Sequence, residues 1–118
     1  MMTAPRFAWF IHVKTTEAWL RLSRADRRKI GEACLGAAIA DPRALSIRHF
    51  DAEAFTAECT DVLLAETGSP LAYYDFMERL RDGVLITEPY FLIVRIVPAV
   101  ENGFRGFEQR SGASTAAA

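Results

Sequence analysis

The stretch Arg6-Phe-Ala-Trp-Phe-Ile-His-Val-Lys14 decides the fold, because aromatic and β-branched residues dominate it and predict a first strand. Side chains alternate across a strand, so Trp9 and Ile11 lie on one face, and Phe10 and His12 lie on the other. Both faces are therefore largely apolar. A strand that is apolar on both faces must be covered on both faces.

The remaining segments complete a β-α-β-β-α-β order. Helices are predicted to begin at Ser23, followed by Asp26, and at Ser69-Pro70, because serine caps free N–H groups and proline suits the first helical turn. The other predicted strands cover residues 45–51, 58–66 and 89–97. This order predicts an α+β, ferredoxin-like fold with a four-stranded antiparallel sheet.

Two helices cover only one face of such a sheet. The fourth predicted strand, Pro89–Val97, is also apolar on both faces, so the second face needs another cover. A second copy of the same sheet supplies it most economically, which predicts a homodimer through the sheet faces. Residues 1–108 are predicted to form a single domain, and residues 109–118 a disordered tail with nothing to bury.

Composition disfavours several classes of protein. Fourteen Lys and Arg against fifteen Asp and Glu give a net charge of −1, which argues against a nucleic-acid partner. No apolar run reaches the ~20 residues of a membrane helix, and no secretory signal is visible, so a cytoplasmic protein is expected. Cys34 and Cys59 lack CxxC spacing, and the HxH and HxxE patterns are absent, so the sequence predicts no metal site.

Three ionisable residues interrupt the apolar strands and are the candidate catalytic groups. Histidine is the residue type whose imidazole ordinarily titrates near neutral pH, so His12 suits a general base, with Asp61 as its partner. Arg95 is the ionic residue of the fourth strand, placed on a face with Phe91 and Ile93, and suits the stabilisation of negative charge. The alternative for His12 and Arg95 is a structural role, satisfied by hydrogen bonds or an ion pair.

Further side chains are candidates for substrate binding or for a structural role. Arg48 and Asp61 either complete a charged belt with His12 and Arg95 or face water on an edge strand. Asp51 and Glu53 lie near a turn and are interpreted as local caps of backbone amides. The predicted substrate-binding residues line an apolar cavity and are Phe10, Arg48, Phe50, Tyr90 and Phe91.

Four segments resemble the darcynin family, and the likeness extends from about Phe7 to Glu108. They are Ala18-Trp-Leu-Arg-Leu-Ser-Arg-Ala-Asp-Arg-Arg28, Arg48-His-Phe-Asp-Ala-Glu-Ala-Phe55, Tyr73-Tyr-Asp-Phe-Met-Glu-Arg-Leu-Arg-Asp82, and Pro89-Tyr-Phe with Ile96-Val-Pro-Ala-Val-Glu-Asn-Gly-Phe104. The resemblance implies the dimeric α+β barrel superfamily, whose members include cofactor-free monooxygenases, polyketide cyclases, decarboxylases, haem enzymes and plain ligand binders. It implies the fold far more than the activity.

The predicted function is that of a small-molecule enzyme without a cofactor. Cyclisation, isomerisation or oxygenation of a hydrophobic, polyketide-like substrate of secondary metabolism fits an apolar cavity with a few polar groups. The alternative is a non-catalytic, dimeric ligand-binding or assembly protein. Haem, with His12 as its axial ligand, is a third possibility.

Overall fold

The computed structural model describes residues 6–112, which follow the predicted element order with three further helices. The strands form one antiparallel sheet in the order β2-β3-β1-β4, so the predicted ferredoxin-like topology is confirmed. In chain order the elements are β1 (Phe7–Thr15), α1 (Glu17–Leu20), α2 (Arg24–Ile39), β2 (Leu45–Asp51), β3 (Asp61–Thr67), α3 (Pro70–Asp82), α4 (Val84–Thr87), β4 (Phe91–Val100) and α5 (Gly103–Ser111).

The hydrophobic core lies between one face of the sheet and helices α2 and α3. On the sheet, Ile11 and Val13 of β1 are buried, and Ile11 is the cross-strand partner of the buried Leu63. On α3, Phe76 and Leu80 belong to the same cluster of buried side chains. Every second residue of the strand thus packs against residues four apart on the helix, as expected from side-chain repeats of about 2 residues in a strand and about 3.6 in a helix. The helices cover the sheet face that carries Trp9, Ile11 and Val13, and we call the opposite face the open face.

Serine side chains fix where the two long helices begin. Ser23 Oγ accepts a hydrogen bond from the backbone N–H of Asp26 at 3.1 Å, which caps α2. Ser69 Oγ accepts one from the N–H of Ala72 at 3.3 Å, and Pro70 occupies the first turn of α3. The predicted starts of both helices are confirmed.

Trp19 closes one end of the core. The segment around it forms the short helix α1, capped where Thr16 Oγ1 accepts from the N–H of Trp19. The indole meets the ring of Phe91 edge-on, with centroids 5.0 Å apart, and lies 5.5 Å from the ring of Tyr90. Tyr90 and Phe91 are therefore held against the helical layer.

A β-bulge changes the predicted faces of β4. The pairing of β1 with β4 shifts register between His12 and Val13, and Val94 is the extra residue. Arg95 consequently pairs with His12 on the open face, while Ile93 pairs with Val13 on the helix-covered face. The prediction that Arg95 shares a face with Phe91 and Ile93 is wrong, because strict alternation does not survive an inserted residue.

The turn before β3 is longer than the sequence predicted. The N–H groups of Ala52 and Glu53 both donate to the carbonyl of Thr60, at 2.8 and 3.0 Å, and close the turn there. The strand therefore begins at Asp61 rather than at Glu58, and the buried Cys59 precedes it. This places Asp61 as the first residue of its strand.

The C-terminal part of the described chain is helical. Helix α5 continues to Ser111, so the predicted disordered tail does not begin at residue 109; residues 113–118 lie outside the described part of the chain. Phe104 and Phe107 of α5 are exposed. Across residues 6–112, no helix has the length and apolar character needed to cross a membrane.

Alkaline titration tests the packing of α3 on β1. Tyr73 stacks on Trp9 with ring centroids 3.9 Å apart, and its burial raises the pKa of the phenol above 10.0. The neutral form is favoured in the folded protein, so the stability it contributes is present below pH 10.0 and is lost as the pH rises through the folded-state pKa. Tyr73→Phe cannot ionise and is expected to flatten the fall in unfolding midpoint above pH 10. An unchanged slope, measured by circular dichroism, would contradict the packing.

Candidate functional site

The open face carries a directly paired histidine and arginine. His12 on β1 and Arg95 on β4 are cross-strand partners. Side chains of residues directly opposite in an antiparallel pair lie on the same face with Cβ atoms ~5 Å apart. The two residues that the sequence singled out are therefore brought together on neighbouring strands, the inner strand β1 and the edge strand β4. They present an imidazole and a guanidinium to whatever covers this face.

Apolar side chains surround this pair. Phe10 and Val97 are cross-strand partners one step along the same two strands, and Leu92 pairs with Lys14 beyond the bulge. On the far strand, Phe50 pairs with Val62. Phe10, Phe50, Leu92 and Val97 keep between 37% and 49% of their surface exposed, an unusual degree for large apolar residues inside a sheet. The open face thus combines these apolar side chains with His12, Arg95 and the exposed Lys14.

Arg48 lies on the open face but already has a carboxylate partner. Its Nη2 is 3.0 Å from Oε1 of Glu66, and its guanidinium carbon lies 5.8 Å from the ring centroid of Phe50. Glu66 was not among the predicted site residues. Arg48 and Phe50 therefore form one side of the open face, with the positive charge of Arg48 largely balanced by Glu66.

Asp61 does not lie beside His12. Its register partners are Val13 on β1 and Asp51 on β2, so its side chain projects from the opposite side of the sheet to His12. Its Oδ2 lies 2.7 Å from Nε2 of His49. The predicted pairing of His12 with Asp61 is wrong. The sequence alone did not determine to which face of the sheet the side chain of Asp61 points.

Tyr90 and Phe91 are also separated from the open face. Both rings pack against Trp19, and Phe91 is buried. Phe91 contributes to a cleft of about 410 Å³ on the edge of β4, which is bounded by α3, α4 and the start of β4. The lining residues are Met77, Arg81, Ile86, Pro89, Phe91, Leu92, Ile93 and Ile96. Of the predicted substrate-binding residues, Phe10, Arg48 and Phe50 share the open face with His12 and Arg95.

Sequence reasoning missed a second cluster of ionisable groups. His49 Nε2 lies 3.7 Å from Oδ1 of Asp51 as well as 2.7 Å from Asp61. Asp51, predicted to cap a backbone amide, instead faces the imidazole. The signal was present in part: His49 and Asp51 are two residues apart on a strand and must share a face. Asp61 joins them only through the pairing of β2 with β3.

Comparison with known proteins identifies the family. The family model described as "Darcynin, domain of unknown function" matches residues 2–117. The chain belongs to the darcynin family. A darcynin of Chromobacterium violaceum is 55% identical over 62 residues, covering 52% of this chain and 78% of that protein. A darcynin homolog of Streptomyces avermitilis is 31% identical over 103 residues, covering 86% of this chain and 84% of that protein.

The fold of this darcynin also occurs in solved structures of chlorite dismutase. Chlorite dismutase from Candidatus Nitrospira defluvii in complex with imidazole superposes with a TM-score of 0.66 at 9% identity, over 82% of this chain and 40% of that one. A variant of the same enzyme gives a TM-score of 0.69 at 12% identity, over 85% and 42%. The chain therefore spans about two fifths of those chains. At such low identity the likeness shows a common fold alone.

Proposed function

We propose that this darcynin is a homodimeric enzyme that binds a small apolar acid between the open faces of two sheets. The observation that carries the proposal is the direct pairing of His12 with Arg95 on an exposed, largely apolar face of the sheet. Arg95 supplies a positive charge for a carboxylate or enolate, and the phenylalanines contact the apolar part of the molecule. Within residues 6–112 Arg95 has no ion-pair partner, so its charge is available to a ligand.

The same geometry suits cofactor-free proton transfer. Neutral His12 removes a proton from an acidic carbon, and Arg95 stabilises the negative charge that develops on the neighbouring oxygen. Such a step begins a cyclisation, an isomerisation or an oxygenation of an aromatic or polyketide-like substrate, as expected in secondary metabolism. A cytoplasmic setting fits a small-molecule enzyme of this kind.

A non-catalytic ligand-binding protein is the second candidate. It is favoured by the position of Asp61 on the face of the sheet opposite to His12, because a catalytic histidine is normally oriented by a second group. Within the described residues, no carboxylate hydrogen-bonds to His12. In this case His12 and Arg95 hold the anion and perform no chemistry on it.

Haem does not fit His12. An iron-ligating histidine usually donates its other ring N–H to a carboxylate or a carbonyl, and residues 6–112 give His12 no such partner. The cationic residue Arg95 is its cross-strand partner on β4. We therefore derive no step that involves haem.

Proton exchange from an aromatic 1,3-diketone distinguishes the two candidates. Benzoylacetone in deuterated buffer is expected to exchange its central C–H protons faster with the wild-type protein than with buffer, followed by nuclear magnetic resonance. His12→Ala should slow the catalysed exchange by about 10²–10⁴-fold, because a positioned base contributes that factor. Arg95→Met should slow it by about 10–100-fold, the value of a hydrogen bond to a charged group.

The matched control is Arg28→Met, which removes an arginine from the exposed side of α2. It should leave exchange and binding unchanged. Binding of the diketone without accelerated exchange would establish the non-catalytic candidate and overturn the enzyme. If wild type and Arg95→Met exchange and bind the diketone equally, the open face is not the ligand site, and both candidate functions are contradicted.

A further inference from the structure

His49, Asp51 and Asp61 form a compact group of potential metal ligands on the side of the sheet opposite to His12. His49 and Asp51 share one face of β2, and Asp61 is the cross-strand partner of Asp51 on β3. One ligand atom from each residue, an imidazole nitrogen and two carboxylate oxygens, lies within 4.8 Å of the other two. The group combines donors from two strands and does not rely on the turn between them.

The charges of this group are poorly balanced by the protein itself. Carboxylates directly opposite one another on paired strands repel, and Asp51 and Asp61 are such a pair. The side chain of Asp61 is only 9% exposed, and its Oδ1 is buried without a hydrogen-bond partner within the described residues. A buried carboxylate oxygen without a partner is costly. A cation bound to this carboxylate would remove that cost.

We propose that His49, Asp51 and Asp61 bind one divalent transition-metal ion of the zinc class. An imidazole nitrogen with carboxylates suits Zn²⁺ and its neighbours, whereas Mg²⁺ and Ca²⁺ prefer ligands that are all oxygen. With bond lengths of ~2.0–2.1 Å, ligand atoms around a tetrahedral ion lie ~3.3 Å apart. The observed separations of 2.7 and 3.7 Å from Nε2 of His49 bracket this value, so small side-chain shifts complete the site.

The ion would neutralise the repulsion between Asp51 and Asp61, and binding of Asp61 through both carboxylate oxygens would also satisfy its unpartnered Oδ1. Asp51 is largely exposed, so the fourth position faces water. Three protein ligands with an open position characterise metal sites that bind a water or a small ligand. Protonated His49 is the competing source of positive charge, and it predicts no metal uptake.

Calorimetric titration with zinc chloride tests the site, and the chain contains a matched control. It has two histidines, and His12 lies on the other face of the sheet. We expect the wild-type protein and His12→Gln to bind one Zn²⁺ per chain with equal affinity. His49→Gln should bind at least about 100-fold more weakly, comparable to or larger than the loss from changing residues that only support a ligand. Magnesium chloride should give no comparable binding.

A second variant, Asp51→Asn, tests the site independently in case His49→Gln impairs folding. The side chain of Asp51 is 76% exposed, so this variant should fold normally, as circular dichroism will verify, and should bind Zn²⁺ at least tenfold more weakly. Absence of Zn²⁺ uptake by the wild-type protein would overturn the proposal. So would equal uptake by wild type, His49→Gln and Asp51→Asn, which would place the ion on Cys34, Cys59 or the chain terminus.

Discussion

Replacing Phe76 by alanine is expected to lower the free energy of unfolding by about 3–5 kcal/mol, because removing a large aromatic side chain from the core leaves a cavity there. Phe76 is 0% exposed and belongs to the buried cluster that joins α3 to the sheet. The stability of a domain of this size is only ~5–15 kcal/mol, so this one substitution removes a large share of it. Urea unfolding at a fixed protein concentration measures the loss.

Phe55 supplies the matched control for this measurement. It is also a phenylalanine, but it is 91% exposed in the turn between β2 and β3. Phe55→Ala should change the free energy of unfolding by less than about 0.5 kcal/mol. Phe76→Leu, which retains most of the volume, should cost only about 1 kcal/mol and covers the case in which Phe76→Ala does not fold. Similar losses for Phe76→Ala and Phe55→Ala would show that α3 does not pack on the sheet.

The fold was predictable from sequence because its local signals agree with one another. Serines 23 and 69 mark the starts of the long helices, and alternation along residues 6–14 assigns Ile11 to the core and His12 to the open face correctly. Short connections then leave few topologies for four strands and two helices. The additional helix α1 was missed because its single turn has no apolar periodicity to detect.

The faces of β4 were not predictable, because nearly every residue from Phe91 to Val97 is apolar. Moving such a strand by one position leaves the hydrophobic pattern unchanged, so the sequence carries no record of the bulge at Val94. Asp61 was misplaced for a related reason. Its partner depends on the pairing of β2 with β3 and on where the turn before it ends, and both are set by contacts between distant parts of the chain.

Replacing Val97 by aspartate is expected to convert the protein from a dimer to a monomer. Val97 lies on the open face opposite Phe10 and is 42% exposed in the single chain. In a dimer closed through these faces, the new carboxylate is taken out of water, at a cost of ~3 kcal/mol that pairing with Arg95, two residues along the strand, does not repay. A two-fold interface contains the change twice, so ~6 kcal/mol is lost and the dissociation constant rises by about four orders of magnitude.

Sedimentation velocity measures this change directly. The wild-type protein should sediment as twice 13.2 kDa, and Val97→Asp as 13.2 kDa. Leu71→Asp is the control, because Leu71 is an exposed leucine at the start of α3, away from the open face. It should remain dimeric. A dimeric Val97→Asp variant would show that the open face is not the interface between copies.

The same variant separates the role of the dimer from the role of Arg95. If the second sheet encloses the ligand, Val97→Asp should lose binding of benzoylacetone together with its dimeric mass, although its His12 and Arg95 are intact. Arg95→Met should lose binding as a dimer, because removing a charge that the proposed dimer would bury without a protein partner does not weaken an apolar interface. A monomeric Arg95→Met variant would instead make Arg95 a residue of the interface, and the open face would then serve assembly rather than ligand binding.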